Sequence, residues 1–86
     1  KIKMSDWYVY ILKCKDSSYY TGITKNLEKR IADHANGKGA KYTRGRAPLK
    51  LIHAETFKNR STASKREFEI KKLSRIEKEF LIKPDL

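Results

Sequence analysis

Two short runs of apolar and aromatic residues lie near the start of the chain, separated by a polar segment. The first run, Trp7–Cys14, predicts a strand that is buried on both faces. The polar segment Lys15–Ser18 favours a turn, because Asp and Ser side chains hydrogen-bond to nearby backbone groups. The second run, Tyr19–Thr24, completes a predicted hairpin, and Gly22 within it indicates a bulge or a close approach to the backbone.

The pattern downstream predicts two helices and one further strand. Apolar positions at helical spacing begin after Asn26, an N-cap residue, and end before Gly37. The run Leu49–Phe57 alternates as a half-buried strand does. After a short turn, Ser61 is predicted to cap a second helix that begins at about Thr62.

A third, short helix is predicted from the spacing of a serine and a glutamate. The segment Ser74–Glu77 has the pattern of a capping box, and Pro84 helps to stop the helix. The order β-β-α-β-α-α predicts an α+β fold, with a small antiparallel three-stranded sheet flanked by helices. One domain is expected over residues 7–83, with flexible termini at 1–6 and 84–86.

Charge is the strongest signal in the composition. Lys and Arg number 21 against 10 Asp and Glu, a formal net charge of +11. This balance predicts attraction to polyanions, nucleic acid ahead of anionic membrane, although a basic protein without such a partner has the same composition. The single cysteine, Cys14, excludes a disulfide framework and a Cys-based zinc site.

Location is inferred from what the sequence lacks. No apolar run approaches the roughly 20 residues that span a membrane. The N-terminal segment has no apolar signal core, and Met4 is a candidate natural start. The cytoplasm is therefore the expected location.

Two tyrosines of the hairpin, Tyr10 and Tyr20, are candidates for a chemical role. Side chains alternate along a strand, so a turn with an odd number of residues, such as Asp16–Ser18, places both phenols on one sheet face. A two-residue turn places them on opposite faces. In the first arrangement Gly22 lies between the phenols and leaves a floor where a phosphate could bind. Tyrosine is also an ordinary strand residue, which is the structural alternative.

The first predicted helix turns two polar groups toward the sheet. Its inner stripe, at i, i+3, i+4 and i+7, comprises Leu27, Arg30, Ile31 and His34. A guanidinium and an imidazole on an inner face need partners, because an unpaired charge is costly to bury. Glu28 and Asp33 are candidate partners for Arg30, although neither has the favoured i,i+4 spacing.

The second predicted helix places a carboxylate among apolar positions. Its inner stripe comprises Ala63, Glu67, Ile70 and Leu73 or Ser74. Glu67 is either an ion-pair partner for Arg30 or a ligand for a hard divalent cation. Mg²⁺ commonly takes one protein carboxylate and completes its coordination with water and substrate phosphate. A single carboxylate argues against a two-metal mechanism.

A loop rich in glycine and positive charge, Asn36–Pro48, lies between the first helix and the third strand. It holds cations around one aromatic ring, a pattern that suits contacts with a nucleic-acid backbone and stacking on a base. These candidate contacts are Lys38, Lys41, Tyr42, Arg44 and Arg46. A mobile, solvated loop is the alternative. No segment resembles a base-reading helix, so weak sequence preference is expected.

Four segments in order resemble the GIY-YIG nuclease superfamily, most of all its small single-domain bacterial members. These segments are YVY, YTG, LEKRIADH and ASKREFEIKK, and the likeness covers roughly residues 7–78. Matched by position, it implies functional roles for Tyr10, Tyr20, Gly22, Arg30, His34 and Glu67. Tyr8, Val9 and Thr21 replace other motif residues, and the late asparagine of many relatives has no clear counterpart.

The resemblance implies a metal-dependent endonuclease that hydrolyses phosphodiester bonds of DNA with one Mg²⁺ or Mn²⁺ ion. Branched or damaged DNA is the candidate substrate. Tyr10 would be the general base, with its pKa, about 10 when free, lowered by nearby cations. Tyr20 would orient phosphate, Arg30 would stabilise charge on phosphorus oxygens, and Glu67 would bind the metal.

The sequence leaves three alternatives open. The role of His34 is either to contact phosphate or to relay a proton. A non-catalytic nucleic-acid-binding module on the same fold is an alternative to the enzyme. An RNA-directed role is a third hypothesis.

Overall fold

The computed structural model describes residues 6–82. Within them the chain forms, in order, β1 Trp7–Lys13, β2 Tyr19–Thr24, α1 Leu27–Ala35, a 3₁₀ turn Lys41–Thr43, β3 Lys50–Phe57, α2 Arg60–Lys71 and α3 Arg75–Leu81. The predicted α+β order is confirmed. Pro84 and the predicted flexible termini, apart from Asp6, lie outside the described residues.

The strand β1 is the centre of a three-stranded antiparallel sheet with the order β2-β1-β3. Burial on both faces is confirmed for its middle, since all four residues from Val9 to Leu12 are buried. Val9 and Ile11 point to one face, where they join Ala63 and Ile70 of α2 in the hydrophobic core. The opposite face of β1 carries Tyr10.

The turn between β1 and β2 decides which face the tyrosines share. The amide of Cys14 donates to the carbonyl of Ser18 at 2.8 Å, so the loop is Lys15–Ser17 rather than Asp16–Ser18. Ser17 takes the left-handed conformation, with φ of 70°. Because this loop has three residues, Tyr10 pairs with Gly22 and Leu12 with Tyr20 across the ladder. Both phenols therefore lie on one face, as the odd-numbered turn predicts.

The helix caps are confirmed at two sites and differ at the third. Asn26 Oδ1 accepts from the amide of Lys29 at 3.1 Å and caps α1. The capping box of Ser74 and Glu77 opens α3. The helix α2 begins two residues earlier than predicted, because Asn59, not Ser61, is its cap.

The physical reason lies in the backbone at Asn59. That residue is extended, with φ of −144° and ψ of 168°, and its Oδ1 accepts from the Thr62 amide at 2.9 Å. Ser61 already lies in the first helical turn. The prediction of Ser61 is therefore wrong, although both residue types are good caps.

None of the helices within residues 6–82 has the length and apolar character needed to cross a membrane.

Candidate active site

A tyrosine and a histidine form a buried pair at the centre of the candidate site. Tyr10 is fully buried and His34 is 1% exposed. The phenol oxygen of Tyr10 lies 2.9 Å from Nε2 of His34. The inner stripe of α1 therefore does turn His34 toward the sheet, on the face that carries Tyr10.

Gly22, directly opposite Tyr10 on β2, makes room for this phenol. A Cβ atom on Gly22 would lie 2.6 Å from the Tyr10 oxygen and 3.1 Å from the Tyr20 ring. The expected open floor for a phosphate is therefore not present. The Tyr10 side chain leans over its cross-strand partner and fills that space itself.

Tyr20 connects the buried pair to the surface. Its ring centroid lies 6.3 Å from that of Tyr10 and 5.2 Å from that of His34. It also stacks with Tyr42 of the basic loop, at 6.1 Å and an interplanar angle of 21°. Tyr42 is 42% exposed, so the stack runs from the interior to solvent.

The basic loop is anchored to the site at its inner end. Thr43 is 1% exposed, and its hydroxyl lies 2.7 Å from Nδ1 of His34. Gly39 packs directly on the imidazole, because a Cβ atom there would overlap with the His34 ring. This part of the loop is a wall of the site.

The loop is also clipped to the β1–β2 hairpin through Arg46. The guanidinium lies 4.3 Å from the centre of the Tyr42 ring and 3.4 Å from the Asp16 carboxylate. The Arg46 carbonyl accepts from the amide of Lys15 at 2.8 Å. The other three cations of the loop, Lys38, Lys41 and Arg44, are exposed.

Arg30, half-buried on α1, interacts with Tyr10. This side-chain interaction raises the pKa of the Arg30 guanidinium further, against the effect of burial. The ion pair of Asp33 is made with Lys29, at 3.3 Å. Arg30 therefore faces the phenol of the site, and pairing with Asp33 is not its principal contact.

Glu67 lies on the predicted stripe of α2 between the buried Ala63 and Ile70. Its side chain is 23% exposed, and it pairs with Lys71 at 3.1 Å. The ion pair with Arg30, one of the two alternatives for Glu67, is thus replaced by an i,i+4 pair within the helix. Glu67 acts on Tyr10 only through its charge, which raises the pKa of the phenol.

The carboxylate of Glu67 fits a hard divalent cation that is held mainly by water and phosphate. It is partly accessible, and its partner Lys71 is 53% exposed, so that side chain can leave without stranding a buried charge. Among residues 6–82, no group of three or more His, Cys, Asp and Glu side chains could hold a metal. Any ion at Glu67 would therefore depend on substrate oxygens.

Burial dominates the acidity of the site. Desolvation raises the pKa of Tyr10 to about 12, and the opposing effect of Arg30 is smaller. Without a bound metal ion, the pKa of Tyr10 is thus raised rather than lowered, because desolvation penalises the phenolate. Burial, with help from Arg30, lowers the pKa of His34, so its imidazole is neutral at pH 7. The pair thus holds a protonated phenol beside a neutral base.

Two residues of this site, Gly39 and Thr43, were not predicted from the sequence. Both lie in the loop, where no hydrophobic period reports which side chains turn inward. Glycine and alanine at positions 39 and 40 were the available signal, since small residues permit a close approach between backbone and another group.

Comparison with known proteins finds a family that matches most of the chain. The model of the GIY-YIG catalytic domain matches residues 6–79. A UPF0213 protein of Clostridium perfringens is 64% identical over 75 residues, which cover 87% of this chain and 81% of that protein. A UPF0213 protein of Natronomonas pharaonis is 55% identical over 78 residues, covering 91% and 92% of the two chains.

Two solved structures have the same fold. The solution NMR structure of a UPF0213 protein from Bacillus halodurans has a TM-score of 0.59 and 52% identity, covering 90% of this chain and 82% of that one. The solution NMR structure of a protein from E. faecalis has a TM-score of 0.65 and 46% identity, covering 92% and 84%.

Proposed function

The chain belongs to the GIY-YIG catalytic domain family, a family of nucleases, and we propose that it is a metal-dependent endonuclease that hydrolyses phosphodiester bonds of DNA. The resemblance inferred from its motifs is thereby confirmed. The observation that carries the proposal is the buried pair of Tyr10 and His34, 2.9 Å apart, with Arg30 beside the phenol. A hydroxyl, a neutral base and a cation in one place suit proton removal from water next to a phosphate.

The proton of Tyr10 needs a destination during the reaction. With a pKa of about 12, the phenol keeps its proton at neutral pH. It can accept a proton from water if it passes its own to His34 at the same time. Nε2 of His34 is at hydrogen-bonding distance, and the neutral imidazole can take that proton.

The remaining groups act on the phosphate. Arg30 would stabilise the negative charge that develops on the phosphorus oxygens, and Tyr20, half-buried beside the pair, would orient the phosphate. Glu67 would hold one Mg²⁺ or Mn²⁺ ion. When bound, such an ion supplies stabilisation of the leaving oxygen.

DNA would approach across the basic loop. Lys38, Lys41 and Arg44 are exposed and belong to a chain with a net charge of +11. Arg46 is already engaged with Tyr42 and Asp16, so its part is to hold the loop. Backbone contacts of this kind carry no sequence information, which makes a structural feature such as a branch or a lesion the candidate recognition element.

One observation favours a second function, that of a non-catalytic nucleic-acid-binding module. Tyr10 is 0% exposed, so attacking water has no access to its hydroxyl in this conformation. A binding module would retain the basic loop and use the buried cluster only for stability.

A cleavage assay tests the proposal. Duplex, single-stranded, nicked and branched DNA, and RNA of matched sequence, are incubated with the protein in Mg²⁺, in Mn²⁺ and in EDTA. The proposal requires cleavage of DNA that stops in EDTA. Binding without cleavage under every condition would favour the binding module, and cleavage of RNA alone would reassign the substrate.

A further inference from the structure

A chain of hydrogen bonds runs behind the candidate active site, from the loop to the tyrosine. The Thr43 hydroxyl donates to the carbonyl of Ala40 at 2.9 Å and lies 2.7 Å from Nδ1 of His34. On its other side, Nε2 of His34 lies 2.9 Å from the Tyr10 oxygen. Thr43, His34 and Tyr10 are all buried, so water does not compete for these bonds.

Counting protons along this chain points to one tautomer of the imidazole. A hydroxyl carries one proton, and Thr43 donates it to the Ala40 carbonyl. The proton between Thr43 and Nδ1 must then come from His34. A neutral imidazole with a proton on Nδ1 has none on Nε2, so Nε2 accepts from the Tyr10 hydroxyl.

One contact opposes this arrangement. The amide of Ala40 also points at Nδ1, at 3.4 Å, and would favour Nδ1 as an acceptor. That distance is beyond the usual range for a hydrogen bond from an amide, whereas the bond with Thr43, at 2.7 Å, is short. The Thr43 hydroxyl is therefore the group that decides between the two tautomers.

We propose that Thr43 is a positioning residue that holds His34 as the Nδ1–H tautomer and so keeps Nε2 ready to accept the Tyr10 proton. Gly39, packed on the ring, keeps the imidazole in the plane that both bonds require. The effect of this tautomer on hydrolysis rests on the proposed function, whereas the hydrogen bonds of Thr43, His34 and Tyr10 do not depend on it.

The consequence for hydrolysis is a balanced transfer of two protons. Water gives a proton to the Tyr10 oxygen, which gives its own to Nε2 of His34. The hydroxide formed attacks phosphorus, the bond from phosphorus to the leaving oxygen breaks, and the imidazolium returns its proton through the Tyr10 oxygen to that leaving oxygen or to solvent. With the other tautomer, Nε2 already carries a proton and the relay has no acceptor.

The tautomer can be measured by NMR without any DNA. Long-range ¹H–¹⁵N correlation spectra separate a protonated ring nitrogen from an unprotonated one. We expect a proton on Nδ1 of His34 in the wild type. In Thr43→Val, which keeps the shape and removes the hydroxyl, only the Ala40 amide faces Nδ1, so the proton should move to Nε2. Thr43→Ser should restore the wild-type spectrum.

The controls are within the same chain. His53, which pairs with Glu55 at 2.7 Å on β3, should show the same spectrum in every variant and reports that the fold is intact. If Thr43→Val does not fold, Thr43→Ala removes the hydroxyl with less constraint on the loop. A wild-type proton on Nε2, or an unchanged tautomer in the folded variant without the hydroxyl, would overturn the inference.

Cleavage kinetics separate this inference from the proposed function. In an active protein, Thr43→Val should lower the single-turnover rate by about 10- to 100-fold, as loss of an orienting partner commonly does, while Thr43→Ser stays near the wild type. If the tautomer reverses in Thr43→Val but the protein never cleaves DNA, the nuclease proposal is wrong and the positioning of His34 by Thr43 stands. If the protein cleaves DNA but the tautomer does not reverse, the nuclease proposal stands and the positioning role is wrong.

Discussion

Replacement of Gly22 by alanine should displace the phenol on which the candidate active site depends. The added Cβ would lie 2.6 Å from the Tyr10 oxygen and 2.9 Å from its Cζ atom. Tyr10 is fully buried and bonded to His34, so it cannot move without disturbing its neighbours. Gly22 has no positive φ, so alanine is compatible with the backbone itself.

The size of the effect follows from two opposing contributions. Overpacking a tight interior costs about 1 to 3 kcal/mol, whereas alanine gains up to about 1 kcal/mol over glycine in a strand. These contributions span a net loss of about 0 to 3 kcal/mol, and the approach of 2.6 Å to a buried oxygen favours about 1 to 2 kcal/mol. In a domain of this size that corresponds to a fall in Tm of roughly 4 to 16 °C.

A double-mutant cycle isolates the contact. Urea unfolding, followed by the fluorescence of the single tryptophan, gives the free energy of unfolding for the wild type, Gly22→Ala, Tyr10→Phe and the double variant. Because Tyr10→Phe removes the nearest atom, Gly22→Ala should cost less in that background, by at least about 0.5 kcal/mol. Equal costs in both backgrounds, or a Gly22→Ala protein as stable as the wild type, would refute the packing described for Tyr10.

Three further outcomes are expected. Neutralising Lys38, Lys41 and Arg44 should reduce the slope of log K for DNA against log salt by about 2 to 3, measured by fluorescence anisotropy; an unchanged slope would place the DNA elsewhere. Arg46→Gln should lower the free energy of unfolding by about 1 kcal/mol, because it removes the contacts with Tyr42 and Asp16, and its matched control Arg44→Gln should change it by less than about 0.5; equal effects would contradict the clip. The pKa of Tyr10 is raised from 10.0 to about 12, so the unfolded chain loses this proton first and stability should fall as pH rises from 10 toward 12. Tyr10→Phe should lack that part of the alkaline loss, and an identical pH profile would argue against a buried phenol.

The sequence predicted the secondary-structure elements and the side of α1 that faces the sheet, because both depend on periodic patterns of apolar residues. It left the shared face of Tyr10 and Tyr20 open, because that face depends on whether the turn has two residues or three. The turn Lys15–Ser17 uses a left-handed serine, which composition does not reveal. Once that turn is known, the register of the hairpin follows.

The contacts of the loop could not be predicted from pattern. Thr43 reaches His34 because the segment before it bends back over α1, and no periodicity reports such a path. The ion pair of Glu67 shows a different limit. The sequence prediction names Arg30 as the ion-pair partner, whereas the i,i+4 geometry of the helix pairs Glu67 with Lys71.

The most direct test of the nuclease proposal is single-turnover cleavage of one branched DNA by the wild type, Tyr10→Phe and Glu67→Ala, with folding checked by thermal melting and binding measured in parallel. Tyr10→Phe removes one hydroxyl and should lower the rate by at least about 100-fold, since it removes the proton acceptor. Glu67→Ala should abolish metal-dependent cleavage while DNA binding is kept or becomes tighter, because a negative charge leaves the site. Equal cleavage rates for the three folded proteins would contradict the roles proposed for Tyr10 and Glu67 in the reaction.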